Sequence, residues 1–137
     1  MTTEFALETL DIEISTTDMI AYAGATWDWH QLHYDHRYLV DHGFEAPVVD
    51  GQMFGGILVR YLGLRFGHDA VITELSMTYR NLMFGGETLR IEGDAQTRAD
   101  GMVDVRCRVR ILASSGREER IAVDPATAVI RIPGVVS

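Results

Sequence analysis

The sequence predicts an α+β domain in which an antiparallel sheet curls round one long central helix. Two patterns and one length point to it. The second half alternates apolar and polar residues with period two, as in VDVRCRVRI, where Val103, Val105, Cys107 and Val109 alternate with Asp104, Arg106, Arg108 and Arg110. The middle holds one run, GQMFGGILVRYLGLRF, that is apolar nearly all round and long enough for four turns of buried helix. At 137 residues the chain has room for one domain, taken as residues 1–137, and one core.

Taken in order, Leu10–Ile14 reads LDIEI, a strand with one buried face. The period then changes, and Thr17 or Asp18 can cap a short helix through Met19, Ile20, Tyr22 and Ala23. TWDWHQLH has no clean period and reads as an ordered aromatic loop; Asp35 can cap a second short helix, HRYLVDH, ended by Gly43. The long helix opens after Pro47 with Asp50 as N-cap and runs to about Phe66. Its glycines, Gly55, Gly56 and Gly63, each cost about 1 kcal/mol against alanine, which close approach of a wrapping sheet would explain. Strands follow in VITELSMTYRNLMF, Thr88–Ala95, VDVRCRVRI and Ala126–Ile132, separated by turn signals at Gly85-Gly86, Asp100-Gly101 and Ser115-Gly116.

Composition excludes several classes of function. All 12 basic residues are arginine, so lysine Schiff-base chemistry and the phosphate-binding lysine of P-loop enzymes are absent. A net charge of −8, with no basic stripe interleaved with aromatics, argues against nucleic acid. The single cysteine, Cys107, falls among inward-facing positions and has no internal disulfide partner. The start, MTTEFALETLDIEIS, carries no signal-peptide pattern, and no apolar run approaches the ~20 residues of a membrane helix. A cytoplasmic location without membrane association is the resulting expectation.

Ionisable groups concentrate in one stretch: Asp28, His30, His33, Asp35, His36 and His42. Histidine titrates near neutral pH, and a carboxylate fixes its tautomer and stabilises its cation, so an Asp/His pair in an apolar pocket is a general acid/base device. Trp27, Trp29, Leu32 and Tyr34 are available as pocket walls. A polar loop with solvated or helix-capping histidines has the same sequence, and so has a metal-binding module using His30, His33 and His36 beside Asp28 and Asp35.

The stretch YAGATWDWHQLH, Tyr22 to His33, is similar to the signature of the MaoC-like (R)-specific enoyl-CoA hydratases. That signature runs from an aromatic residue through Ser/Thr-Gly to Asp, any residue, Asn, Pro, an aliphatic residue and His. Tyr22, Thr26, Asp28, Leu32 and His33 match in register. Ala25 is smaller than the usual aliphatic, and Trp27, His30 and Gln31 stand in place of glycine, asparagine and proline. Downstream, PVVDGQMFGGIL resembles the family's segment at the start of its central helix, with Gly51 at the glycine and Asp50 where histidine is common. RNLMFGGETLRIEG resembles the strand and turn that follow, so the likeness covers most of the chain.

The resemblance implies a hot-dog fold, usually paired into a dimer or higher oligomer with sites between subunits. It also implies reversible addition of water to a trans-2-enoyl thioester of coenzyme A or an acyl carrier protein, with no metal or redox cofactor. In that reading Asp28 and His33 hold and deprotonate a water while the Gly51 N–H steadies the enolate oxygen. Trp27, His30, Asp50 and Arg80 are the expected substrate contacts, with Arg60 and Arg65 as further basic residues near element ends. Asp50 has a simpler role as an N-cap, and each arginine has one as an ordinary surface charge. Two alternatives remain: DGQMFGGIL also resembles hot-dog thioesterases, in which Asp28 and His33 would be incidental, and the pocket also suits a non-catalytic acyl-binding subunit.

Overall fold

In the computed structural model the described residues are 3–134, so the first two and last three positions of the expected 1–137 domain lie outside them. Ten-residue strand β1 (Glu4–Glu13) is followed by α1 (Thr16–Thr26), a single 3-10 turn (Gln31–His33), α2 (His36–Asp41) and α3 (Gly51–Phe66). Four strands complete the chain: β2 (Val71–Tyr79), β3 (Thr88–Thr97), β4 (Val103–Ile111) and β5 (Arg120–Arg131). They form one antiparallel five-stranded sheet in the order β1-β3-β4-β5-β2, as the α+β reading requires. No helix among the described residues is long and apolar enough to cross a membrane.

The inward-facing residues of β3 and β4, including Leu89, Ile91, Val103, Val105, Val109 and Ile111, pack on Phe54, Ile57, Leu58, Tyr61 and Leu62 of α3. Cys107 lies among them, and burial pushes its thiol up to about 12, so it stays an inert apolar group. α3 is pinned to the edge strand through an irregularity in β1. The register shifts between Leu7 and Leu10, and the Glu8 carbonyl there accepts the Tyr61 hydroxyl at 2.8 Å and the Arg65 Nε–H at 2.9 Å. The Arg65 guanidinium also reaches the Thr9 carbonyl at 3.2 Å, so it is spent on the fold.

Several element readings change. The cap of α1 is Ser15: its hydroxyl accepts the Asp18 N–H and the Asp18 carboxylate accepts the Ser15 N–H, a reciprocal capping box. β1 starts at Glu4, before the expected Leu10, because the bulge interrupts the alternation that would have revealed it. β5 starts at Arg120 instead of Ala126, since Pro125 sits beside a register shift against β4 where its missing N–H is tolerated. α3 is buried on one face only: Val59 and Leu64 are about half exposed. Its glycines are not there for a backbone, because a Cβ at position 55 would meet the Met77 methyl at 3.4 Å, one at position 63 the His68 ring at 3.9 Å, and one at position 56 open space.

Candidate functional site

Asp28 and His33 are delivered by the chain that leaves α1. Trp27 closes the helix in the left-handed region (φ 58°), and the Asp28 N–H returns to the Ala23 carbonyl at 3.0 Å. His30 then ties the next five residues together. Its N–H donates to Asp28 Oδ1 at 3.4 Å, its Nδ1 accepts the Leu32 N–H at 3.0 Å, and its carbonyl accepts the His33 N–H at 3.1 Å. The stretch expected to be an ordered aromatic loop contains one 3-10 turn capped by His30.

His33 is oriented from the opposite side. Its Nδ1 lies 2.7 Å from the Val48 carbonyl, and because a carbonyl only accepts, Nδ1 carries a proton and, in the neutral ring, Nε2 holds the lone pair. The Val48 N–H bonds the Leu32 carbonyl at 3.1 Å and the Val49 N–H bonds the Met83 carbonyl at 2.8 Å, which anchors this segment to the body of the protein. Two residues on, Asp50 caps α3, its Oδ1 accepting the Gln52 N–H at 2.9 Å. Asp50 Oδ2 faces His33 Nε2 at 3.9 Å, and both side chains are nearly buried.

Asp28, His33 and Asp50 thus converge: each offers an atom that lies within 4.8 Å of the others'. Such spacing would suit a cation as well as a shared proton, and it is the grouping of this kind among the described residues, whereas His30 and His36 are outside it. Met19, Tyr22, Ala23, His33, Asp50 and Met53 line a narrow crevice beside the trio, packed too closely to hold a water-sized volume. The two carboxyls are pushed apart. The Asp50 carboxyl beside it, helped by the His30 N–H, holds Asp28 below its ordinary value. Burial, against the pull of the Gln52 N–H, raises Asp50. Burial also raises Tyr22 and Tyr79, and the Asp50 charge adds to both.

Gly51 opens α3 next to this trio. Its carbonyl accepts the Tyr79 hydroxyl at 2.8 Å, while its N–H has no protein partner among the described residues. A side chain at position 51 would meet the Tyr79 ring at 3.4 Å, so glycine suits this close approach. The other expected contacts are not gathered here. Trp27 is 80% exposed and packs edge-on against Trp29 at 6.0 Å. The Arg80 Nε–H is bound to the Asp124 carbonyl at 2.8 Å, beyond the end of β2. His30 borders the trio but its ring is turned edge-on to Tyr38 at 5.7 Å and to His33 at 6.0 Å.

Sequence reasoning missed the Val48 carbonyl, whose only signal is its place ahead of a helix cap, and the pocket walls Met19, Tyr22 and Met53, apolar or aromatic positions at helical spacing. The roomiest hollow lies elsewhere, on the sheet, edged by Glu4, Glu74, Asp94 and Asp104. It holds no histidine and carries a mostly acidic edge, whereas the crevice beside the trio includes His33 and Asp50.

Comparison with known proteins places this arrangement. Residues 2–114 match the MaoC like domain family. No curated protein matches the chain. Among solved structures, the ChsH1-ChsH2 complex from Mycobacterium tuberculosis is similar at 21% identity, covering 93% of this chain and 95% of that one, with a TM-score of 0.81. An (R)-hydratase from A. caviae involved in PHA biosynthesis is similar at 21% identity over 96% and 95% of the two chains, with a TM-score of 0.80. The HadBC (3R-hydroxyacyl-ACP dehydratase) complex from Mycobacterium tuberculosis is similar at 17% identity over 94% and 95%, with a TM-score of 0.65. These likenesses establish the hot-dog fold.

Proposed function

The chain belongs to the MaoC-like domain family, and on that premise we propose that it is an enoyl-thioester hydratase and 3-hydroxyacyl-thioester dehydratase, a hydro-lyase. One observation carries the reading: Asp28 and His33, far apart in role along the chain, meet with His33 Nε2 left as a lone pair, next to the open Gly51 N–H at a helix N-terminus. An acid/base pair and an oxyanion donor are what addition of water to a conjugated thioester requires.

In the proposed reaction a water bound between Asp28 and His33 gives a proton to this pair as its oxygen bonds to the β-carbon of a trans-2-enoyl thioester. The electron pair of the double bond moves onto the thioester oxygen, where the Gly51 N–H and the positive end of α3 stabilise it. Return of the proton to the α-carbon completes the 3-hydroxyacyl thioester; the reverse sequence is dehydration. Neither direction calls for a metal or redox group. The carrier is coenzyme A or an acyl carrier protein.

We further propose that the chain works as a homodimer or higher oligomer. The ChsH1-ChsH2 and HadBC structures are complexes, and the exposed side of α3 with Val59 and Leu64 is apolar surface of the kind an oligomer covers. Light scattering should give a multiple of 15.3 kDa; a monomer at working concentration contradicts this.

Crotonyl-CoA tests the chemistry. Hydration lowers the enone absorbance and releases no thiol. Thiol release would instead identify a thioesterase, and binding without turnover a non-catalytic acyl-binding subunit.

A further inference from the structure

Three hydrogen-bond acceptors meet in this site with no donor between them. Asp28 ends in a carboxylate, and His33, its Nδ1 proton committed to the Val48 carbonyl, presents in its neutral form the lone pair of Nε2. Asp50 presents Oδ2, a buried side-chain oxygen that has no hydrogen-bond partner among the described residues. A buried carboxylate oxygen without a donor is costly, so the cluster is short of one proton.

We propose that Asp50 carries that proton on Oδ2 in the resting protein and donates it to Asp28, acting as a positioning residue that keeps Asp28 ionised and aimed at the water. This deepens the hydratase reading and rests on it for the role of Asp28. The two oxygens of Asp50 divide the work: Oδ1 accepts the Gln52 N–H as a carbonyl oxygen does, and Oδ2 is left to bear hydrogen. A proton on His33 would not serve. Nε2 is 3.9 Å from Oδ2, beyond hydrogen-bond reach, so an imidazolium would leave Oδ2 unpartnered. The groups facing Asp50 from every packed element agree. Asp28 follows α1, Tyr22 lies on α1, His33 on the 3-10 turn and Tyr79 on β2, so no permanent cation faces Asp50. The Tyr79 hydroxyl is already spent on the Gly51 carbonyl. Burial works in the same direction, raising Asp50, and Asp28, with the Asp50 carboxyl beside it, stays low.

The step balances as a relay. Water gives its proton to Asp28 as its oxygen bonds the β-carbon and the double-bond pair moves onto the thioester oxygen; the enolate then collapses and takes that same proton from Asp28 at the α-carbon. Asp50, by holding its own proton, keeps Asp28 from retaining the one it has just received.

Infrared difference spectroscopy on the wild-type protein and D50N, at neutral pH, tests the proton without any substrate. The wild type should show one carboxylic-acid C=O band that D50N lacks. Absence of the band overturns the proposal, whether nitrogen NMR then finds His33 as an imidazolium or elemental analysis finds a stoichiometric divalent ion. Hydration of crotonyl-CoA supplies the second readout. The wild-type rate should fall on the alkaline side as Asp50 ionises against Asp28, and D50N, whose amide donates at every pH, should lack this limb. D50A, with no donor, should be about tenfold slower than D50N at neutral pH. Superimposable pH profiles of wild type and D50N overturn the proposal. A wild type that shows the band but does not hydrate sinks the hydratase reading and leaves the proton on Asp50 standing.

Discussion

His33 owes its chemistry to a backbone carbonyl. The Val48 bond fixes the proton on Nδ1, and with the ring so held, Nε2 is the only nitrogen that can accept from a water. His33→Ala removes that acceptor and leaves the turn, which is held by His30, intact. We expect the hydration rate to fall by about 10²–10⁴-fold with an unchanged circular dichroism spectrum. A fall of less than tenfold would show that Asp28 works without it. Of this site the sequence offered Asp28 and His33 within a cluster of ionisable groups, and the likeness to the MaoC-like signature singled out that pair and Gly51. The Val48 carbonyl was invisible because every residue has one, and the opposition of Asp50 to His33 arises from two separate segments meeting. Trp27 and Arg80 show the reverse. Each has a plausible side chain, but the left-handed cap turns Trp27 into solvent and the Asp124 carbonyl engages Arg80.

Among the elements, the clearest in sequence were those with uninterrupted periodicity. β4 alternates buried and exposed residues along its length, and α3 starts at the cap that Asp50 offers. β1 and β5 were read short because a bulge in one and Pro125 in the other break the alternation that identifies a strand. One glycine in β3 shows how a strand residue can be fixed by its neighbour. A Cβ on Gly93 would lie 2.9 Å from Cys107 Sγ and 3.1 Å from the Arg106 carbonyl oxygen, and the latter is backbone that cannot swing away. Gly93→Ala should therefore destabilise the protein by about 1–3 kcal/mol in chemical denaturation. A neutral or stabilising result would mean that β3 and β4 separate at little cost.

At the scale of the whole molecule, one buried charge fastens the sheet to the chain that carries the site. Glu87 is 1% exposed, accepts the Phe84 N–H at 2.8 Å, and is gripped by Arg120 with Arg117 at 3.8 Å. Burial opposes its charge, but Arg120, the Phe84 N–H and Arg117 outweigh burial and hold Glu87 below the ordinary carboxylate range. The backbone of the same residue accepts the Ile14 N–H, next to the start of α1. Because the folded form binds the proton less readily than the unfolded one, this stabilisation is complete above the unfolded value, about 4.3 for glutamate, and fades as pH falls through the lower folded value. Arg120→Ala should cost about 3 kcal/mol at neutral pH, since it leaves a buried charge poorly compensated. It should cost progressively less in acid, and an equal loss at both pH values would contradict the assignment. The overall architecture was readable because the strand and helix order allows few arrangements. The degree to which α3 is covered was not, since that depends on surfaces that meet its outer face.

The measurement that bears most directly on the proposed chemistry is the rate of enone loss from crotonyl-CoA, with thiol followed in the same sample, for the wild type and for Asp28→Asn. The wild type should form 3-hydroxybutyryl-CoA with no thiol released, and Asp28→Asn, folded to the same degree, should be slower by at least about a hundredfold. Equal rates in the two proteins, or thiol appearing in step with enone loss, would contradict the account.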